Sequence, residues 1–356
     1  MTFLFLVRGL GEFSQAESLA KFAKKKKVKS FFAIDDAIED IVKEEELNYK
    51  IVKTAKDARE LIDKIKPRAL FLCNSKTSRP LIKDAPTQRM AIFSIDSNWL
   101  FGQTNKFKVY DWIDCFLVVF PKKIFDLGLR KNGGFYTIPK KYLDKIFCSG
   151  FIPSGKKLTE PEKLKSRNAL GITKDEKLIF GYFGKGLTYR AFLTPKLLKV
   201  VEKLCRDGYK IKLFWCGPKF EIKKDFLIQP KNYITTANFD KIAASADLIV
   251  QHHGLGTLAK IIHNQIPTIT FIPEKFTQKP KIFRHSPSYE IEAFEKAGIC
   301  KSLTYKSKLI ELEKLVLKLL YNKDTINQIK RKQKKIFVSG EEAVFNKVLS
   351  IINKKK

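Results

Sequence analysis

Apolar residues in this chain come in short unbroken runs separated by amphipathic or charged stretches. Thr2-Phe-Leu-Phe-Leu-Val7 is the first run, and it stops at Arg8-Gly9 as a strand buried on both faces of a parallel sheet does. Residues 14–23 follow with Ala16, Leu19, Ala20 and Ala23 on one helical face. Further apolar runs at 30–34, 51–52, 69–73, 90–95 and 113–120 alternate with charged periodic segments such as 55–65. This is the strand–helix–strand rhythm of a parallel sheet covered by helices.

The texture changes near residue 147. Gly150, Pro153, Gly155 and Pro161 interrupt the pattern, and 156–165 is charged and nearly free of large apolar residues. The spacing predicts a linker over 154–176, closed by a short helix ending near Gly171. A second series then starts at Lys177. It has strands predicted at 178–183, 211–216, 233–235, 248–251 and 268–272, and helices at 195–206, 239–246, 258–264, 309–320, 324–337 and 341–353. The expected fold class is therefore α/β, with one Rossmann-like domain over 1–153 and a second over 177–338. No repeat of solenoid length is present; a strand, a glycine turn and a helix open each half.

Composition narrows the function. At 356 residues with 44% apolar and 12% aromatic content, the chain can bury two cores. The formal charge of +32, from 69 Lys and Arg against 37 Asp and Glu, would attract nucleic acid, anionic headgroups or phosphorylated substrates. Lysine spread through nearly every segment, with plentiful Asn, Ile and Phe, points to compositional drift as the main cause, with anionic-surface binding as a by-product. A basic nucleic-acid-binding protein would need aromatics interleaved with Lys and Arg on an exposed face. Here the aromatics sit in apolar runs such as Phe3-Leu-Phe5 and Phe31-Phe32, so no specific nucleic-acid partner is expected. Cys73, Cys115, Cys148, Cys205, Cys216 and Cys300 form no CxxC pair and have no histidine at metal-ligand spacing, which fits reduced, buried thiols and no metal. No stretch is long enough to cross a bilayer, and 2–7 is too short for a signal-peptide core. The expected location is cytoplasmic, free or peripheral on the inner face of the cell membrane.

The chemistry concentrates at one turn. The run Leu248-Ile-Val-Gln251 leads into His252-His253-Gly254-Leu255-Gly256-Thr257 and then into a helical segment. A glycine-rich strand-to-helix turn lets backbone N–H groups approach a phosphate, and the helix N-terminus stabilises its charge. His252, His253 and Thr257 could add hydrogen bonds. Alternatively Gly254 and Gly256 make a tight turn and Thr257 caps the helix. Two of only four histidines cluster here, which favours the phosphate site. No Gly-Lys-Ser/Thr stands at P-loop spacing.

From Ala246-Asp247 through Gly254-Leu-Gly-Thr257 to Gln265-Ile-Pro267 and Thr268-Ile-Thr-Phe-Ile-Pro273, the chain resembles the donor-site signature of GT-B glycosyltransferases of the MurG and UDP-glycosyltransferase kind. His252 matches the histidine that opens this loop and touches the donor diphosphate in many of them. Gln265-Ile266-Pro267 replaces their usual Gly-x-Pro. The resemblance implies a donor-ribose contact from Glu274, Gln278 or Glu290, where an inserted 279–287 breaks the family pattern. It also implies a phosphate-side loop at Gly184, Lys185 and Gly186; Glu274, Gln278 and Glu290 read equally as solvated polar side chains, and Lys185 as an exposed turn lysine.

In the first half, Gly9-Leu-Gly11-Glu12-Phe-Ser14 resembles the glycine-rich loop that opens the MurG-type N-terminal domain, with Glu12 where the family carries histidine. Ile95-Asp96-Ser-Asn98-Trp-Leu-Phe-Gly102-Gln-Thr104-Asn105 resembles its acceptor-facing segment, with Ile95 in place of a histidine. Gly9, Gly11, Ser14, Asn98, Thr104 and Asn105 are thereby implied to face the acceptor. Glu12 and Asp96 are the candidate catalytic bases; as structural residues, Glu12 would sit favourably at a helix N-terminus and Asp96 would cap a turn. Residues from about 339 to 356 resemble the family's last helix, which returns to the first domain. The resemblance implies two Rossmann-like domains facing each other across a cleft. Its implied activity is an inverting, metal-independent transfer of a hexose or N-acetylhexosamine from a UDP-sugar, with no cofactor beyond that donor. The implied acceptor is a polyprenyl- or lipid-linked molecule, a cell-envelope glycan precursor. The basic excess, Lys24–27 included, suits an anionic membrane surface. A non-hydrolysing UDP-sugar epimerase shares the architecture and is the alternative, as is a nucleotide-binding protein without catalysis.

Overall fold

The computed structural model describes residues 1–73, 81–82, 90–95, 111, 113–129, 140–153, 155–183, 187–216, 224–229, 236–252, 254–272 and 288–355. The chain divides into two compact units, one built from Met1–Ser154 and Phe337–Lys356 and the other from Gly155–Ile282 and Ser286–Ile336. Each is an α/β unit around one parallel sheet.

The first sheet contains β1 (Thr2–Val7), β2 (Lys29–Ile34), β3 (Tyr49–Ile51), β4 (Ala69–Cys73), β5 (Ala91–Ile95), β6 (Cys115–Val118) and β7 (Ile146–Cys148). Their order is β3-β2-β1-β4-β5-β6-β7, with every pairing parallel. The unbroken apolar run of β1 is buried along nearly its whole length, as a central parallel strand requires. Register places Phe5 beside both Phe32 and Phe71, and Phe71 beside Phe93. Their rings stack at 5.2, 4.5 and 5.2 Å, a four-strand aromatic ladder inside the core. Phe3, Phe5 and Phe32 are core, as their placement in apolar strands predicts, whereas Phe31 is half-buried.

Helix Leu10–Lys25 buries Ala16, Leu19, Ala20 and Ala23 against this sheet. The last helix, Glu341–Lys354, belongs to the same core through Val344, Phe345, Val348 and Ile352, and Phe345 meets Phe22 edge-on at 5.7 Å. The chain leaves the first unit beside the segment by which it returns, because Phe151 and Ser339 form a parallel bridge. Two glycines permit this approach. Gly150 has φ +100°, and a Cβ there would lie 2.6 Å from Val338 O. A Cβ on Gly340 would lie 2.9 Å from Gly150 O.

The second sheet contains β8 (Lys177–Tyr182), β9 (Ile211–Cys216), β10 (Leu227–Ile228), β11 (Leu248–His252), β12 (Thr268–Ile272) and β13 (Lys301–Thr304), ordered β10-β9-β8-β11-β12-β13 and all parallel. Helices Leu187–Arg206, Leu309–Tyr321 and Lys323–Ile336 cover one face with a core that includes Leu197, Val201, Trp215, Val316 and Ile329. The buried amide of Gln333 donates to Ile266 O and Ile299 O, 2.9 Å each, and ties the last of these helices to the segments entering β12 and β13.

The short helix expected to end near Gly171 is Glu160–Ala169, started by a Thr159–Glu162 capping box and fastened within the second unit where Arg167 meets Asp247 at 2.8 Å. Other elements differ from the pattern-based expectation. Helix Leu187–Arg206 starts two turns before Pro195, which lies inside it. The strands β7, β10 and β13 were not expected; they are short, and β13 carries polar residues. The strand expected at 233–235 lies outside the described residues. Among the described residues, no helix is long and apolar enough to cross a membrane.

Candidate functional site

Both sheets reverse their winding once, between β1 and β4 and between β8 and β11. In open parallel sheets ligands bind beyond the strand C-termini at such a reversal, because the loops there diverge to opposite faces. The His252 turn leaves β11 at the reversal of the second sheet.

Here the local geometry is specific. His252 is the last residue of β11, so its half-buried imidazole hangs from the end of the strand rather than from a loop. Helix Leu255–Asn264 begins after Gly254, which is its N-cap with extended backbone (φ −79°, ψ 113°) and no side-chain cap. Thr257 is therefore the third helical residue and does not cap the helix. Gly256 likewise lies in the first turn and not in a preceding loop. The first intrahelical bond, Leu258 N–H to Gly254 C=O at 3.1 Å, leaves the amides of Leu255, Gly256 and Thr257 ahead of it at the helix N-terminus. A methyl built on Gly254 would touch His252 Cε1 at 3.5 Å, Thr257 Oγ1 at 3.6 Å and His252 Nε2 at 3.8 Å. The imidazole and the hydroxyl thus converge over the bare Cα of Gly254, above the amides of the helix. Such a notch offers N–H, O–H and imidazole donors together with the positive end of a helix dipole, which is the chemistry that holds a phosphate oxygen.

Across the reversal, Tyr182 ends β8 opposite Gln251 in register, and its ring meets His252 edge-on at 5.9 Å. Gln251 is fully buried and donates to Thr270 Oγ1 at 3.4 Å. Sequence reasoning missed both residues. Tyr182, the polar-tipped end of an apolar run that precedes a glycine turn, carried the available signal.

At the reversal of the first sheet, Gly9 is the extended N-cap of helix Leu10–Lys25, with Gly11, Glu12 and Ser14 following in its first two turns. Glu12 Oε2 accepts from Arg8 N–H at 3.2 Å, which folds the carboxylate back over the helix start. The Arg8 guanidinium pairs with Asp35 at 2.7 Å and donates to Val52 O at 2.8 Å, so it clamps the ends of β1, β2 and β3. This clamp joins residues far apart in sequence and no local motif marks it.

The other expected site residues fall elsewhere. Asp96, Asn98, Thr104, Asn105, Gly184, Lys185, Gly186, His253, Glu274 and Gln278 lie outside the described residues. Glu290 is in helix Ser288–Lys296. Cys115 and Cys148 are thiols that burial pushes up to about 12, which suits structural cysteines.

Solved structures with the same fold are numerous. The glycosyltransferase SnogD from Streptomyces nogalater matches 100% of this chain and 99% of its own, at 11% identity and a TM-score of 0.64. MurG from Acinetobacter baumannii matches over 98% and 99%, at 12% identity and 0.60. S. aureus MnaA, solved with UDP, matches over 99% and 97%, at 12% identity and 0.68. The fold is GT-B. A Listeria monocytogenes protein described as a UDP-N-acetylglucosamine 2-epimerase also matches. At these identities the likeness carries the GT-B fold and not the reaction. No protein-family model and no curated protein sequence matches the chain.

Proposed function

We propose that this GT-B protein is a glycosyltransferase that moves a hexose or N-acetylhexosamine from a UDP-sugar to a hydroxyl acceptor with inversion. The observation that carries the reading is the convergence of His252 and Thr257 over Gly254 at the start of helix Leu255–Asn264. That cradle suits the diphosphate of the donor, with Gly184, Lys185, Gly186 and His253 assigned to the same group and Glu274, Gln278 or Glu290 to the ribose.

In the step itself, the acceptor oxygen bonds to the anomeric carbon from the face opposite the diphosphate. The bond from that carbon to the β-phosphate oxygen breaks, and UDP leaves with the electron pair. Charge builds on the departing phosphate, where helix amides, the Thr257 hydroxyl and His252 stabilise it more strongly than in the ground state. We assign the offsetting of phosphate charge to these groups and to Lys185, without a divalent ion. The acceptor proton passes to a carboxylate, for which Glu12 and Asp96 are the assigned candidates. A lipid-linked precursor of a cell-envelope glycan is the acceptor class we propose.

Thermal-shift screening against UDP, UDP-N-acetylglucosamine and UDP-glucose tests the donor, since a ligand of the native state raises its midpoint. A stabilising UDP-sugar that also gives up its sugar to an added acceptor fits the proposal. Interconversion of that UDP-sugar with no acceptor present supports the epimerase reading instead, which the Listeria match makes specific.

A further inference from the structure

Helices Leu187–Arg206 and Leu309–Tyr321 lie side by side on one face of the second sheet. Lys196 Nζ donates to Ser307 O at 3.0 Å and to Tyr305 O, Lys203 pairs with Glu313, and Tyr209 meets Tyr321 at 5.3 Å. The partners' numbers rise together, so the helices run parallel. Both start from the edge where the strands end, the same edge that carries His252. Their inner faces are spent on the core through Leu193, Leu197, Leu312 and Val316.

The outer face at this end is amphiphilic. Phe192 is 63% exposed, Leu309 40% and Ile310 46%. On the same stretch of these two helices and the segment leading into the second, Lys199, Lys306, Lys308 and Lys314 are exposed. The ion pairs on these helices join Lys203 to Asp207 and Glu313, and Glu202 to Lys224. Among the described residues, the four other lysines have no carboxylate partner. One exposed carboxylate, Glu311, held by the Lys308 backbone N–H at 2.6 Å, stands among these four ammonium groups, so the face keeps a net positive charge. Apolar side chains among such lysines match a bilayer interface, where apolar groups enter the acyl boundary and lysines reach the phosphates. The exposed run Lys24–27 of the first unit has charge but, among the described residues, only Met1 beside it as an exposed apolar residue. Nucleic acid fits this face less well, because Phe192 is its one described exposed aromatic and base stacking needs several.

We propose that this face docks on an anionic phospholipid surface, with Phe192, Leu309 and Ile310 entering it and Lys199, Lys306, Lys308 and Lys314 meeting lipid phosphates. The docking stands independently of the sugar chemistry. If the acceptor is lipid-borne, it brings the His252 edge of the second unit toward the surface that holds the acceptor.

The test is co-sedimentation of the full-length protein with phosphatidylglycerol–phosphatidylcholine vesicles against phosphatidylcholine alone. The protein should bind the anionic vesicles and lose binding as salt rises. The F192S/L309S/I310S variant should partition at least about tenfold less, with unchanged UDP binding. A K306E/K308E variant, which alters no apolar group, should also bind less and decides the matter if the triple variant unfolds. Wild-type partitioning by both variants overturns the proposal, as does absence of vesicle binding. Displacement from vesicles by RNA, or burial of this face in a dimer of the chain, assigns it to another partner and overturns it equally.

Discussion

Replacing Glu17 with glutamine should remove a specific part of the protein's pH dependence. Glu17 sits on helix Leu10–Lys25 with 3% of its surface exposed, and its Oε2 atom has no hydrogen-bond partner among the described residues. Lys21 donates to its other oxygen and, at 2.8 Å, to Glu45. Burial is the largest influence and, with Glu45 nearby, outweighs the attraction of Lys21, raising the carboxyl from 4.5 to about 7. The folded chain therefore holds this proton more tightly than the unfolded chain does. The associated stability is complete below pH 4.5 and is lost as pH rises through about 7. The gap between those values corresponds to about 3 kcal/mol. Glutamine keeps the shape and has no charge to bury. Urea unfolding of wild type and Glu17→Gln, at pH 5 and pH 8.5, reads the effect as a difference in which titrating groups away from Lys21 and Glu45 cancel. The variant should gain about 2–3 kcal/mol on the wild type between the two pH values. Equal differences at both pH values would refute the burial argument.

Three further outcomes follow from the packing. Gln333→Leu strands the carbonyl of Ile299 and leaves Ile266 O with the Thr268 hydroxyl as its donor, and should cost about 1–3 kcal/mol in urea unfolding. Gly150→Ala combines a φ of +100° with a Cβ 2.6 Å from Val338 O, and its thermal midpoint should fall by the equivalent of about 2 kcal/mol or more. Thr257→Val keeps the volume but removes a hydroxyl from the notch. By calorimetry it should weaken UDP binding about three- to tenfold and leave the midpoint close to wild type.

The two-unit α/β plan was legible because central parallel strands must be apolar on both faces. β1, β4 and β6 consequently stand out as unbroken runs in the sequence. Edge strands escape that constraint, and β7, β10 and β13 were invisible for that reason. The glycine turn after β11 announced a helix N-terminus. The helix starts earlier than its apolar spacing indicates, because Gly256, a poor helix former, lies inside the first turn. The contacts that shape the sites proved least legible. Arg8 reaches Asp35 and Val52, Tyr182 reaches His252, and Glu17 is buried on a helix face that its neighbours in sequence do not mark as apolar. All of these depend on how separate strands and helices meet, which no local periodicity encodes.

The central claim is the phosphate cradle at Gly254, and calorimetric titration of UDP into wild type and Gly254→Ala tests it most directly. The substitution is sterically ordinary, with φ −79° and new contacts of 3.5–3.8 Å, so the fold should be kept. Its methyl nevertheless fills the notch between His252 and Thr257. Wild type should bind one UDP per chain, and the variant should bind at least about tenfold more weakly at a similar thermal midpoint. Equal affinity in the two proteins, or no UDP binding by wild type, would contradict the account.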